Sequence, residues 1–133
     1  MKVPAEAKTK QQVSVQFVEN HSEGLEIAAR EKKPVLLFFT ISENNSSQRM
    51  LEAAFCNEEI IQLAKHFVCI KVDGVLETSV CKTLGIKGFP TIVLTNSSGN
   101  EIQRLTGKPS AEQLAVQMHV VLQTVAMRRS SVM

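Results

Sequence analysis

The sequence predicts an α/β domain in which a mixed central β-sheet carries helices on both faces. Three observations point there. Val35-Leu36-Leu37-Phe38-Phe39 is an unbroken apolar run, the pattern of a central strand covered on both sides. Segments of helical period alternate with strand-like runs from Glu23 to Leu84. Two β-rich stretches, Thr91-Ile92-Val93-Leu94 and Glu101-Ile102-Gln103-Arg104-Leu105, then flank Asn96-Ser97-Ser98-Gly99, which has hairpin composition.

Taken in order, residues 1–12 are polar, contain Pro4 and several lysines, and show no period, so they predict a flexible N-terminal arm. Val13, Val15 and Phe17 alternate with Ser14 and Gln16, the signature of a short half-buried strand. Leu25, Ala28 and Ala29 then recur at helical spacing through Glu23 to Lys32, and Pro34 stops the helix. After the central run, Met50, Leu51, Ala54 and Phe55 share one helical face and Ile60, Ile61 and Ala64 another, with Asn57 marking a break between them.

Phe67 to Asp73 reads as another strand, and Thr78 to Leu84 as a short helix closed by Gly85. Ser110, with Gln113 three residues on, opens a last helix whose stripe is Leu114, Met118, Val121, Leu122 and Val125. The folded domain is expected over 13–127, with 128–133 a frayed tail.

The 133 residues, 44% of them hydrophobic, suffice for one core. A net charge of +2 from interspersed acids and bases leaves no basic stripe for nucleic acid. No apolar run reaches the ~20 residues of a membrane span, and Met1 to Lys8 lacks the apolar segment of a secretion signal. As it stands the sequence suits the cytoplasm; removal of a signal would suit an exported protein.

Cys56, Cys69 and Cys81 are odd in number and widely spaced, so neither a disulfide framework nor a zinc site is expected. Each sits in an apolar or regular segment and reads as a buried small hydrophobe. His21, His66 and His119 fall on separate segments and are not expected to ligate a metal. Met50 and Met118 take core stripe positions, while Lys32-Lys33 and Arg128-Arg129 are solvated charge. No cofactor or metal is expected, and a monomer is.

Several motifs in sequence give the chain a resemblance to a known family. They are Lys33-Pro34-Val35-Leu36-Leu37-Phe38-Phe39 before a polar turn, Met50, Phe67-Val68 with Lys71-Val72-Asp73, Gly88-Phe89-Pro90-Thr91, and Gly99 before the last strand. In order and spacing they resemble bacterial thioredoxin-like domains of the thioredoxin superfamily. The resemblance spans roughly Val13 to Val125. It implies the thioredoxin-like fold, a cis-proline loop at Pro90, and a place in cell redox homeostasis.

The family's Cys-x-x-Cys is missing. Asn44-Asn45-Ser46-Ser47 stands in its place, with Asn44 at the position of the nucleophilic cysteine and Ser47 at that of the resolving one. In working members a helix N-terminus holds the first cysteine as thiolate and the second resolves the mixed disulfide. Neither Asn44 nor Ser47 can do this. By the same resemblance, Glu43 replaces the usual tryptophan and Phe38 replaces a buried aspartate that helps move protons.

Asn44, Asn45, Ser46 and Ser47 are also good helix-capping residues, which explains them structurally. Ser46 and Ser47 do not sit in Gly-x-Ser-x-Gly, so a serine nucleophile is not indicated. The helix end could attract an anion, but Glu43 opposes it.

Two functions remain. The first is a redox-inactive module that binds a peptide or protein client through Glu43, Asn44, Asn45, Ser46, Phe89 and Pro90, with no catalytic residue. In the family, backbone at the residue before the proline pairs with bound peptide, and Phe89 holds that position here. The alternative is a divergent thiol-disulfide oxidoreductase or isomerase using Cys56, Cys69 or Cys81.

Overall fold

The computed structural model describes residues 14–41, 49 and 53–132. The expected arm at 1–12, Val13, the turn from Glu43 to Ser47, and Met50 and Leu51 lie outside these residues. Eight elements follow one another: α1 (His21–Glu31), β1 (Val35–Thr40), α2 (Glu58–Ala64), β2 (Val68–Asp73), α3 (Thr78–Leu84), β3 (Thr91–Thr95), β4 (Glu101–Thr106) and α4 (Ala111–Val132).

The sheet order is β2-β1-β3-β4. β1 pairs parallel with β2, Val35 opposite Val68, and antiparallel with β3, Phe39 opposite Thr91. β4 continues antiparallel from β3, with a register shift near Thr95. This is the mixed sheet expected, and every residue of β1 is buried because both its faces are covered.

Strand alternation sorts the core into two layers. Leu36, Phe38, Cys69, Ile92 and Leu94 pack with Ile60 and Leu63 of α2 and with Leu114, Met118 and Val121 of α4. On the other face Val35, Leu37, Phe39, Ile70 and Val93 pack with Ala28 of α1 and Cys81 of α3. α1 lies close on β2 because Gly24 has no side chain; a Cβ there would come within 2.5 Å of the Ile70 side chain.

The helix ends follow the capping residues in the sequence. Asn20 accepts from the Glu23 N–H at 2.8 Å and Asn57 from the Ile60 N–H at 3.2 Å, so Asn57 is the break expected there. Ser110 and Gln113 form a reciprocal capping box: the Gln113 N–H donates to Ser110 Oγ and the Ser110 N–H to Gln113 Oε1. In the β3–β4 hairpin Asn96 Oδ1 accepts from the N–H groups of Ser98 and Asn100, both at 2.9 Å.

Three expectations change. Residues 14–17 form no strand; the segment makes one parallel bridge, Val18 to Ile70, with the Val18 N–H donating to Cys69 O and the Lys71 N–H to Val18 O. Val15 is buried and Phe17 packs on the core for tertiary reasons, so the alternation marks packing rather than a ladder. Ala29 is exposed, the burial on α1 falling to Gly24 and Ala28. The backbone of α4 stays helical to Val132, past the expected end at 127, since no Gly or Pro interrupts 111–132.

Candidate functional site

After β1 the chain continues into Glu43, Asn44, Asn45, Ser46 and Ser47, which lie outside the described residues. What surrounds the end of β1 is described. Phe39 pairs with Thr91, so Pro90, one residue earlier on the antiparallel neighbour, stands level with Thr40. The Phe89–Pro90 peptide is cis, Pro90 is buried, and Phe89 is half-buried. Thr91 Oγ1 donates to Gly88 O at 2.7 Å and ties this loop to the strand it precedes.

The turn after β2 forms the other wall. The Gly74 N–H donates to Thr40 O at 2.7 Å, which fixes the turn to the end of β1. Asp73 holds its shape by accepting from the N–H groups of Val75, at 2.8 Å, and Leu76, at 3.2 Å. The Phe89 ring lies directly over Gly74, where a Cβ would fall 2.4 Å from its Cε1 and Cζ. Val75 and Leu76, the next two residues after Gly74, are 67% and 79% exposed, large apolar side chains held in solvent. Sequence reasoning missed them; the signal was the apolar pair directly after Asp73-Gly74.

Within β1, Phe38 turns its side chain into the α2/α4 layer of the core. Phe38 is wholly buried and its ring meets Phe55 edge-on at 4.9 Å and Phe17 at 5.8 Å between centroids, while Phe17 and Phe55 form a second edge contact at 5.1 Å. Such a cluster contributes packing and offers no proton acceptor.

The thiols do not converge. Cys69 faces the α2/α4 layer and Cys81 the α1/α3 layer, so the sheet separates them. Burial pushes the Cys69 thiol up to about 12, offset only in part by Lys33. Burial also raises the Cys81 thiol, with Glu77 and then Asp73 adding to the shift. Both changes favour the neutral, unreactive form. Cys56 departs from expectation: it is exposed, because the turn that buries Ala54 and Phe55 points the next side chain outward before the Asn57 cap.

Among the described residues no three His, Cys, Asp or Glu side chains converge as a metal site, and no helix is long and apolar enough to cross a membrane. His119 lies on the surface, its Nε2 3.7 Å from a Glu59 carboxylate oxygen.

A mixed four-stranded sheet covered on both faces, with a proline loop set against the end of its first strand, defines a thioredoxin-like domain. Residues 22–121 match the family model described as a thioredoxin-like domain, and the chain belongs to that family. Among solved structures it is similar to a thioredoxin from Thermus thermophilus, at 18% identity and a TM-score of 0.73 over 82% of this chain and 88% of that one. A structure described as DsbH oxidoreductase is 20% identical, TM-score 0.72, over 91% of this chain and 99% of that one. A putative disulphide isomerase from Bacteroides thetaiotaomicron is 24% identical, TM-score 0.71, over 84% and 96%. These identities speak for the fold alone. No curated protein matches the sequence.

Proposed function

We propose that this chain is a thioredoxin-like domain without thiol-disulfide exchange activity, and that it binds an extended peptide or protein segment at the end of β1. The binding surface comprises the turn at Glu43, Asn44, Asn45 and Ser46 together with the Phe89-Pro90 loop. The observation that carries the reading is Phe38. With Asn44 and Ser47 at the cysteine positions, the site would lack its thiols, and the buried ring of Phe38 leaves no acid below it to relay a proton. The described residues support a binding role for what remains: Phe89 is braced on Gly74, and Val75 and Leu76, which follow Gly74 in the chain, are exposed.

The test is selection of unstructured peptides from a display library on the immobilised chain, followed by affinity measurement against Phe89→Ala. Retained fold, checked by circular dichroism, with at least tenfold weaker binding is the expected outcome. Failure to select any peptide, or affinities unchanged in the folded variant, would defeat the binding role.

One observation favours a second reading. Cys56 is exposed, and a solvent-accessible thiol could exchange disulfides without the family motif. Cys69 and Cys81 are buried, so neither is placed to resolve a mixed disulfide on it. Loss of any measured exchange activity on Cys56→Ser would identify this route.

A further inference from the structure

The Phe89-Pro90 loop is short, and side chains hold it at both ends. At its far end Thr91 Oγ1 donates to Gly88 O at 2.7 Å. At its near end α3 closes on Gly85 in the left-handed conformation, with the Gly85 N–H donating to Lys82 O and the Ile86 N–H to Cys81 O. Those bonds leave the carbonyls of Leu84 and Gly85 to other donors. Arg104 of β4 supplies them, Nη2 donating to Leu84 O at 2.6 Å and Nη1 to Gly85 O at 3.2 Å. Between the anchors at Gly85 and Gly88 lie only Ile86, which packs on the α1/α3 layer of the core, and the exposed Lys87.

Arg104 reaches α3 because of an irregularity in its own strand. It pairs with Val93, a residue of the α1/α3 layer, so its side chain leaves the sheet on the side where α3 lies. Three residues apart on a regular strand, Glu101 and Arg104 would point to opposite faces. The pairing passes from Leu94 opposite Gln103 to Thr95 opposite Glu101, so Ile102 is an extra residue in β4 and the bulge returns Glu101 to the face of Arg104. Glu101 then takes the guanidinium as a fork, accepting from Nε at 2.9 Å and from Nη2 at 2.8 Å. The four hydrogen bonds fix the plane of the guanidinium and aim it at the end of α3.

We propose that Arg104, held by Glu101 across the bulge, is a positioning residue that sets where the Phe89-Pro90 loop stands against Gly74. It touches no client itself and acts through the carbonyls of Leu84 and Gly85. With these released, the start of the loop is free to move. Phe89, adjacent to the second anchor at Gly88, then carries its ring off Gly74. The consequence for a client rests on the peptide-binding reading, whereas the hold on the loop does not.

Nuclear magnetic resonance on the full chain reads the loop without any peptide. The Phe89 ring lies close enough to Gly74 to give a nuclear Overhauser cross-peak between its ring protons and the Gly74 α-protons. Arg104→Met should weaken that cross-peak at least twofold. It should also speed amide exchange at Gly85 and Ile86 at least tenfold, while the Lys71 amide, bonded to Val18 O, keeps its rate. Glu101→Gln leaves Arg104 in place but loosens its fork, and should move the same signals in the same direction.

Against a peptide selected by the wild-type chain, Arg104→Met should weaken binding at least fivefold, and this loss should vanish in the Phe89→Ala background. A Gly74 cross-peak and loop amides unchanged in both variants overturn the proposal. So does an affinity loss of equal size with and without Phe89, which would make Arg104 a general stabiliser of the fold. If the wild-type chain selects no peptide, the binding reading falls, and the Gly74, Gly85 and Ile86 signals still decide whether Arg104 holds the loop.

Discussion

Phe38 offers a sharp test of how the apolar layer beside the candidate site is built. Its side chain is fully buried and holds two ring contacts, at 4.9 and 5.8 Å. Phe38→Leu keeps the position apolar and loses mainly the ring contacts, for a cost of about 1 kcal/mol. Phe38→Ala leaves a cavity between sheet and helices and should cost about 3–5 kcal/mol. For 133 residues the unfolding entropy is near 0.28 kcal/mol/K, so alanine lowers the melting temperature by about 10–18 °C.

Phe38→Asp places a carboxyl in a layer of phenylalanines. The buried carboxyl has its folded pKa raised above the unfolded value near 3.9, so the native state holds the proton longer. Below ~3.9 both states are protonated and the variant resembles Phe38→Ala. As pH climbs from there toward the folded pKa, stability falls by about 1.4 kcal/mol per unit. Urea unfolding of the three variants between pH 3.5 and 7 in steps, read by circular dichroism, measures both effects. An aspartate variant as stable as wild type, or a flat pH profile, would refute the reasoning and mean that the position still accommodates an ionised acid.

Three further outcomes follow from the described contacts. In the native protein Cys56 should react with a thiol reagent well before Cys69 and Cys81; equal rates would contradict their assigned burial. Because Cys69 is held near 12 against an ordinary 9, the unfolded chain gives up its proton first, and stability should fall by about 1 kcal/mol per unit as pH rises from 9 toward 12. That slope should be absent in Cys69→Ala. Gly24→Ala drives a methyl to 2.5 Å from Ile70 and should cost about 1–3 kcal/mol by thermal melting, where an unchanged melting temperature would show that α1 can lift off β2. Asn57→Ala removes the cap of α2 and should cost about 1 kcal/mol in chemical denaturation; no loss would mean the cap is replaced by water.

The fold was legible where one local signal dominated. The apolar run fixed β1, and Asn57, Ser110 and Gly85 marked helix ends by capping chemistry that needs only near neighbours. Reading failed where distant partners decide. Val15 and Phe17 are inside because Phe38 and Phe55 receive them, and alternation alone could not distinguish that from a ladder. Ala29 has the apolar character of Ala28, but the close approach of α1 at Gly24 turns Ala28 inward and leaves Ala29 out. Cys56 follows two buried residues and is exposed because the chain turns there.

At the candidate site, Phe89 and Pro90 are singled out by the motif around them, and the strand register sets Pro90 level with Thr40. Val75 and Leu76 carry no motif. Their exposure follows from the Asp73 turn and from the hydrogen bond between Gly74 and Thr40, which join segments far apart in sequence.

We propose a thioredoxin-like domain without thiol-disulfide exchange activity. Dithiothreitol-driven reduction of insulin, measured beside an active thioredoxin and with Cys56, Cys69 and Cys81 replaced singly, tests it most directly. The account expects turbidity to develop no faster than with dithiothreitol alone in every variant. An acceleration that disappears with one of the three cysteines would contradict it and make the protein an oxidoreductase.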